Sequence, residues 1–155
     1  MTNALFTVIA FDPGITTGYA MGDLDEEVGE LLVVSGEQKW MHGGLWEFLQ
    51  EYKPDFLICE DFLFRNNSRR GLELYPRELI GICKLFAQIS SAPRCELIMQ
   101  PPRPTQFFSD ERLKLEHIYK EGRPHANDAV RHMLHWFQFG AGFKYNKNGY
   151  RSAAW

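Results

Sequence analysis

Residues 5–12 read Leu-Phe-Thr-Val-Ile-Ala-Phe-Asp, a β-branched and aromatic run that stops at Pro13-Gly14. Such a run, closed by turn residues, predicts a strand buried on both faces. Further strands are predicted over 17–24 and 30–38, with Asp23, Asp25, Glu26 and Glu27 marking the hairpin between them. Three antiparallel strands therefore open the fold. Leu45, Trp46, Phe48 and Leu49 fit a helical face within residues 40–52, and Pro54 stops it. Residues 55–62 read as another buried strand, and the polar, basic stretch 65–73 as an exposed loop. A helix over 76–90 carries apolar residues around well over half its circumference. Cover that broad calls for two partners: the sheet, and either a second subunit or further burial within the chain. A fifth strand over 95–99 precedes the breaks at Pro101, Pro102 and Pro104, and helices follow over 109–120 and 125–139. The order β-β-β-α-β-α-β-α predicts an α/β sandwich, a mixed five-stranded sheet flanked by helices.

Composition narrows the class. In 155 residues, 12 Phe, 6 Tyr and 4 Trp supply ample surface for one core, and 13 Gly and 8 Pro exclude collagen-like and low-complexity chains. No apolar run reaches the roughly 18 residues needed to span a bilayer, and the start lacks the pattern of an export signal, so a cytoplasmic protein without a membrane partner is expected. Cys59, Cys83 and Cys95 lack CxxC spacing and sit in apolar runs, which reads as reduced core residues and no zinc site. After Gly140 the chain is basic and carries no acid, so 1–143 is read as one domain and 144–155 as a loose basic tail.

The formal net charge of −3 hides a division along the chain. Residues 1–62 hold 12 acidic and 2 basic side chains, and 63–155 hold 8 acidic and 15 basic ones. Either the surface is bipolar, with one part suited to cations and another to a polyanion, or the two sets intermix in space.

Three acids occupy places where apolar residues are expected. Asp12 ends the first strand, Glu60 ends the run Phe56-Leu57-Ile58-Cys59 with Asp61 beside it, and Asp128 lies near the start of the last helix. A carboxylate at the end of a buried strand is costly unless paired or bound to a cation, and hard divalent ions favour oxygen ligands. The turn Pro13-Gly14-Ile15-Thr16-Thr17-Gly18 reads as an ordinary hairpin or as a place where phosphate or metal approaches the backbone. His125 and Asp128, three apart, share one helical face, where His125 suits a ligand or an acid/base role. His132 and His135 read as structural or solvated.

Ile9-Ala10-Phe11-Asp12-Pro13-Gly14 with Thr17-Gly18-Tyr19-Ala20, then Ile58-Cys59-Glu60, then His125-Ala126-Asn127-Asp128-Ala129, resembles the RuvC-type Holliday-junction resolvases of the ribonuclease-H-like superfamily, over residues 5–139. The His form of the last motif is typical of phage-borne relatives. The resemblance implies a dimeric, ribonuclease-H-like nuclease that cuts symmetric strands of a four-way junction with two Mg²⁺ ions, Mn²⁺ substituting. Asp12, Glu60, His125 and Asp128 would be the metal ligands and catalytic set, and Asp61 stays outside it. Lys114 is the expected transition-state cation. Arg65, Arg69, Arg70, Arg103 and Arg123 are expected on DNA, with Phe64 as an aromatic wedge and Phe62 as core. The 76–90 helix matches the family's dimer helix. The competing readings are a broader flap or Y-fork nuclease, a catalytically silent junction-binding protein, and an actin-like ATPase, which would need two such domains.

Overall fold

The computed structural model describes residues 5–62, 74–89, 95–102 and 107–153. The opening meander forms as expected: β1 (Leu5–Asp12), β2 (Thr17–Asp25) and β3 (Glu30–Gln38) pair antiparallel in sequence. Helix α1 (His42–Tyr52) leads to β4 (Phe56–Glu60), which lies parallel to β1. Helix α2 (Tyr75–Ile89) leads to β5 (Glu96–Gln100), parallel to β4. Helices α3 (Asp110–Leu115) and α4 (Pro124–Phe139) follow.

Two features depart from the expectation. The helix predicted over 109–120 stops at Leu115, because His117 takes a left-handed φ of 57° and the amides of Ile118 and Tyr119 turn back to the Leu113 carbonyl. Among the described residues the sheet has six strands, ordered β5-β4-β1-β2-β3-β6, since part of the supposed loose tail forms β6 (Gly149–Ser152) parallel to β3. Four residues are too few to show a hydrophobic period, so this edge strand leaves almost no signal of its own.

Its partners explain it. The tail meets the acidic hairpin at its backbone: Lys147 Nζ donates to the Glu26 and Glu27 carbonyls, and Asn148 Nδ2 to that of Val28. Arg151 pairs with Glu30 at 2.9 Å. Acidic and basic segments therefore intermix at this edge of the molecule. Gly29 allows the approach with φ 71°, since a Cβ there would fall 2.5 Å from the Tyr145 carbonyl oxygen.

Strand alternation divides the core into two layers. Val8, Ala10, Phe56 and Ile58 face α4, whose Val130, Met133, Leu134, Trp136 and Phe137 are buried against them. Ile9, Phe11, Leu57 and Cys59 face α1 and α2, meeting Leu45, Leu49, Leu79, Ile80 and Phe86. All three cysteines are buried, and Phe62 packs on this second layer. Helix α2 thus finds its second partner partly in α1, with Trp46 edge-on to Phe86, while Leu85 and Ile89 stay about half exposed.

Candidate active site

The two-residue period of the strands decides what the sheet presents at its C-terminal edge. Asp12 continues the series Val8, Ala10; Glu60 continues Phe56, Ile58; Gln100 continues Ile98. All three therefore turn toward α4, from adjacent strands. On α4 the residues 125, 128 and 132 lie one above another, at spacings of three and four. The result is a cavity of about 340 Å³ with three carboxylates, Asp12, Glu60 and Asp128, and three nitrogen-bearing side chains, His125, Arg131 and His132, walled by Pro13 and Pro102.

Close approach of α4 depends on β2. Gly18, Ala20 and Gly22 present small residues to the helix, and a Cβ on Gly18 would lie 1.8 Å from the His125 carbonyl oxygen. The space beside Gly18, one of the glycines of a turn readable as a hairpin or as a place for phosphate or metal to approach, is filled by the start of α4. The turn before it is closed by Thr17, whose hydroxyl donates to the Gly14 carbonyl at 2.9 Å. Arg123, at the N-cap position, caps nothing with its side chain, so the exposed amides of α4 need another acceptor. Glu37 at the end of β3 supplies it, accepting from the amides of His125 at 2.9 Å and Ala126 at 3.4 Å. Its carboxylate also favours the positive end of the helix dipole.

Each cavity carboxylate has one nitrogen partner. Asp12 Oδ2 meets His125 Nδ1 at 2.9 Å, Glu60 Oε2 meets His132 Nε2 at 2.7 Å, and Asp128 Oδ1 accepts from Arg131 at 2.6 Å. A second layer fixes those partners. His132 Nδ1 lies 2.8 Å from Gln100 Oε1, and Arg131 donates to the Phe108 carbonyl at 2.7 Å and to Asp110. Burial pushes the Asp12 carboxyl up to about 6; the His125 bond opposes this, and the charges of Glu60 and Asp128 add to it.

The donor set fits a hard divalent ion in kind: three mutually repelling carboxylates and a histidine around one polar cavity. It is not a closed cage, since among the described residues no three His, Cys, Asp or Glu side chains converge as a metal cluster. The nitrogen partners hold the carboxylates in their present places.

No protein-family model matches the sequence, and no curated protein does either. Solved structures do. RuvC of T. thermophilus in complex with a Holliday junction substrate matches with a TM-score of 0.58 at 17% identity, over 85% of this chain and 94% of that one. The fowlpox virus Holliday junction resolvase matches at 0.57 and 16%, over 85% and 98%. The yeast mitochondrial Holliday junction resolvase matches at 0.60 and 11%, over 91% and 81%. The chain has the RuvC-type resolvase fold.

Within this RuvC-type fold, Asp12, Glu60, His125 and Asp128 line one cavity. Asp61 lies beside them, its amide bonded to the Gln100 carbonyl. Lys114 is not among the cavity residues; its Nζ sits 4.6 Å from the Tyr119 ring centroid, because α3 ends early and the chain turns back. Among the described residues, Arg131 is the one arginine or lysine that lines the cavity. Arg123 is exposed at the start of α4, 3.8 Å from Glu37. Phe64, Arg65, Arg69, Arg70 and Arg103 lie outside the described residues. His132, read as structural or solvated, is a buried wall of the site bonded to Glu60. Its signal was present, since it falls four residues after Asp128 and seven after His125 on one stripe. Glu37, Gln100 and Asp110 left none, because their roles arise from contacts across the fold.

Proposed function

We propose that this chain is a metal-dependent endonuclease that resolves four-way DNA junctions by paired symmetric incisions. The observation that carries the reading is the convergence of Asp12, Glu60 and Asp128, from β1, β4 and α4, on one cavity of a RuvC-type fold. Its structural neighbours include resolvases of bacterial, viral and mitochondrial origin, one of them in complex with a Holliday junction substrate.

In this reading Asp12, Glu60 and Asp128 would hold Mg²⁺ or Mn²⁺, with His125 as the further ligand. Two such ions, when bound, supply Lewis acidity at the scissile phosphate and at the leaving 3′-oxygen, chemistry that yields 5′-phosphate and 3′-hydroxyl ends. The protein's own part is orientation. His125, anchored through Nδ1 on Asp12, has Nε2 as the ring nitrogen left to take a ligand or carry a proton. His132 and Gln100 fix the Glu60 carboxylate, and Pro13 and Pro102 narrow the cavity around the reacting phosphate.

Branched DNA would be held by basic side chains, with Arg123 at the start of α4 and Arg65, Arg69, Arg70 and Arg103 in the sequence after β4 and β5. Phe64 would stack at the junction centre. Two copies, paired through the outward Leu85 and Ile89 of α2, would bring two cavities to opposed strands. Incubating purified protein with labelled four-way junction, Y-fork and linear duplex, with Mg²⁺, Mn²⁺ or EDTA, tests the reading. Symmetric nicks confined to the junction and lost in EDTA are expected; equal cutting of every branched form would make it a general debranching nuclease, and junction binding without cutting in Mg²⁺ or Mn²⁺ would overturn it.

A further inference from the structure

Arg131 is a permanent cation set among acids, and the nuclease motifs give it no task. It is 8% exposed, and three anchors fix its guanidinium: the Phe108 carbonyl at 2.7 Å, Asp110 at the start of α3, and Asp128 Oδ1 at 2.6 Å. It lines the same cavity as Asp12, Glu60 and Asp128. Two of its anchors, Phe108 and Asp110, come from outside the cavity, so the guanidinium is held in place whether or not a cation is near. Burying such a charge is unfavourable unless acids compensate it, and Asp128 is one of the two that do.

We propose that Arg131 is an internal counter-ion that competes with divalent cations for Asp128 and so sets the metal affinity of the site, Asp110 deciding how strongly it competes. The proposal rests on the metal-dependent reading of the cavity. With Arg131 in place, Asp128 has one oxygen committed, and part of the negative charge that attracts a cation is already offset. Asp110 accepts from the other terminal nitrogen of the same guanidinium and so shares its charge with Asp128. Arg131 is thus a positioning residue, acting through Asp128.

Two substitutions then move metal affinity in opposite directions. Arg131→Gln, which keeps a donor for the Phe108 carbonyl, tightens Mn²⁺ binding about tenfold, the size expected for removing one positive charge near a divalent ion even with strong screening. Arg131→Lys retains the charge and stays close to the parent affinity. Asp110→Asn leaves the Arg131 charge to be offset by Asp128, with the Phe108 carbonyl still bonded, and weakens Mn²⁺ binding several-fold, an effect that disappears in the Arg131→Gln background. Glu111→Gln, which removes the adjacent α3 charge, controls for long-range electrostatics and leaves affinity unchanged.

Isothermal titration with MnCl₂ alone, on DNA-free protein whose fold is checked by circular dichroism, reads these shifts. Tighter binding in Arg131→Gln together with weaker binding in Asp110→Asn supports the proposal. Unchanged or weaker binding in Arg131→Gln overturns it, as does an Asp110→Asn effect that persists without Arg131. If Arg131→Gln fails to fold, Asp110→Asn against Glu111→Gln decides: equal affinities overturn the proposal. Parent protein that binds no Mn²⁺ overturns the metal-site reading itself, a result distinct from parent binding that Arg131→Gln leaves untightened.

Discussion

Asp12 and His125, 113 positions apart in the chain, meet at 2.9 Å where the end of β1 faces the start of α4. The contact joins the acid that ends the first buried strand to the histidine that opens the last helix. It also places Asp12 where burial and the Glu60 and Asp128 charges make its ionisation costly.

That cost gives a prediction about stability. A carboxyl raised from 3.8 to about 6 binds its proton more tightly in the folded state than in the unfolded one, so its ionisation opposes folding. The penalty is absent below about pH 4, grows between the two values, and is complete above the folded value; a shift of this size corresponds to roughly 3 kcal/mol. Asp12→Asn keeps an acceptor for His125 and removes the charge. In EDTA at pH 7.5 it is expected to raise stability by up to about 3 kcal/mol, and near pH 4 to change it little. Urea melts at the two pH values check this, and an unchanged or lowered stability at pH 7.5 would refute it.

Gly18 makes a sharper structural prediction. A Cβ at this position overlaps the His125 carbonyl, which is backbone and has no rotamer to change. Gly18→Ala is therefore expected to displace the start of α4, at a cost on the order of 3 kcal/mol or more. Because the displaced turn carries His125 and Asp128, Mn²⁺ binding should weaken even where the protein still folds. A thermal melt and a Mn²⁺ titration on the same sample measure both effects, and a variant that matches the parent in each would contradict the packing account.

His132 is expected to matter through Glu60. Removing it by His132→Ala takes away the nitrogen at 2.7 Å that holds the carboxylate, and leaves Gln100 without its ring partner. Loss of a partner that orients a metal ligand typically lowers metal affinity or activity by about 10- to 100-fold. A Mn²⁺ titration of His132→Ala reads the first quantity directly. His135→Ala, one turn further along α4, should leave it unchanged.

The dimer expectation concentrates on two side chains. Leu85 and Ile89 are 48% and 56% exposed on the outward side of α2, one turn apart. Leu85→Glu with Ile89→Glu should convert a dimer to monomer in sedimentation velocity, leaving the circular dichroism spectrum intact. A parent protein that sediments as a monomer with and without junction DNA would remove this part of the account.

Much of this arrangement was legible in the sequence, for a reason that particular residues make plain. Asp12 and Glu60 stand out because each ends an apolar run whose two-residue period also fixes the face it joins. His125 and Asp128 share a helical stripe, and the same arithmetic extends to His132, so the stripe reached further than the motif. Lys114 lies outside the cavity lining, and the helix that carries it ends at Leu115, with the chain reversing at the left-handed His117, a stop that no proline or glycine marks. Glu37 capping α4, Gln100 behind His132 and the β6 edge strand exist only through pairings far apart in the chain. The acidic hairpin had no visible role until β3 and the basic tail were seen side by side.

Mapping nicks on a labelled four-way junction in Mg²⁺ with the parent protein and Glu60→Gln tests whether the Asp12, Glu60 and Asp128 cavity cuts junction DNA. Paired nicks at symmetric positions are expected for the parent, and junction binding with no nicks for Glu60→Gln. Nicks of equal yield from Glu60→Gln, or none from a parent protein that binds the junction tightly, would contradict it.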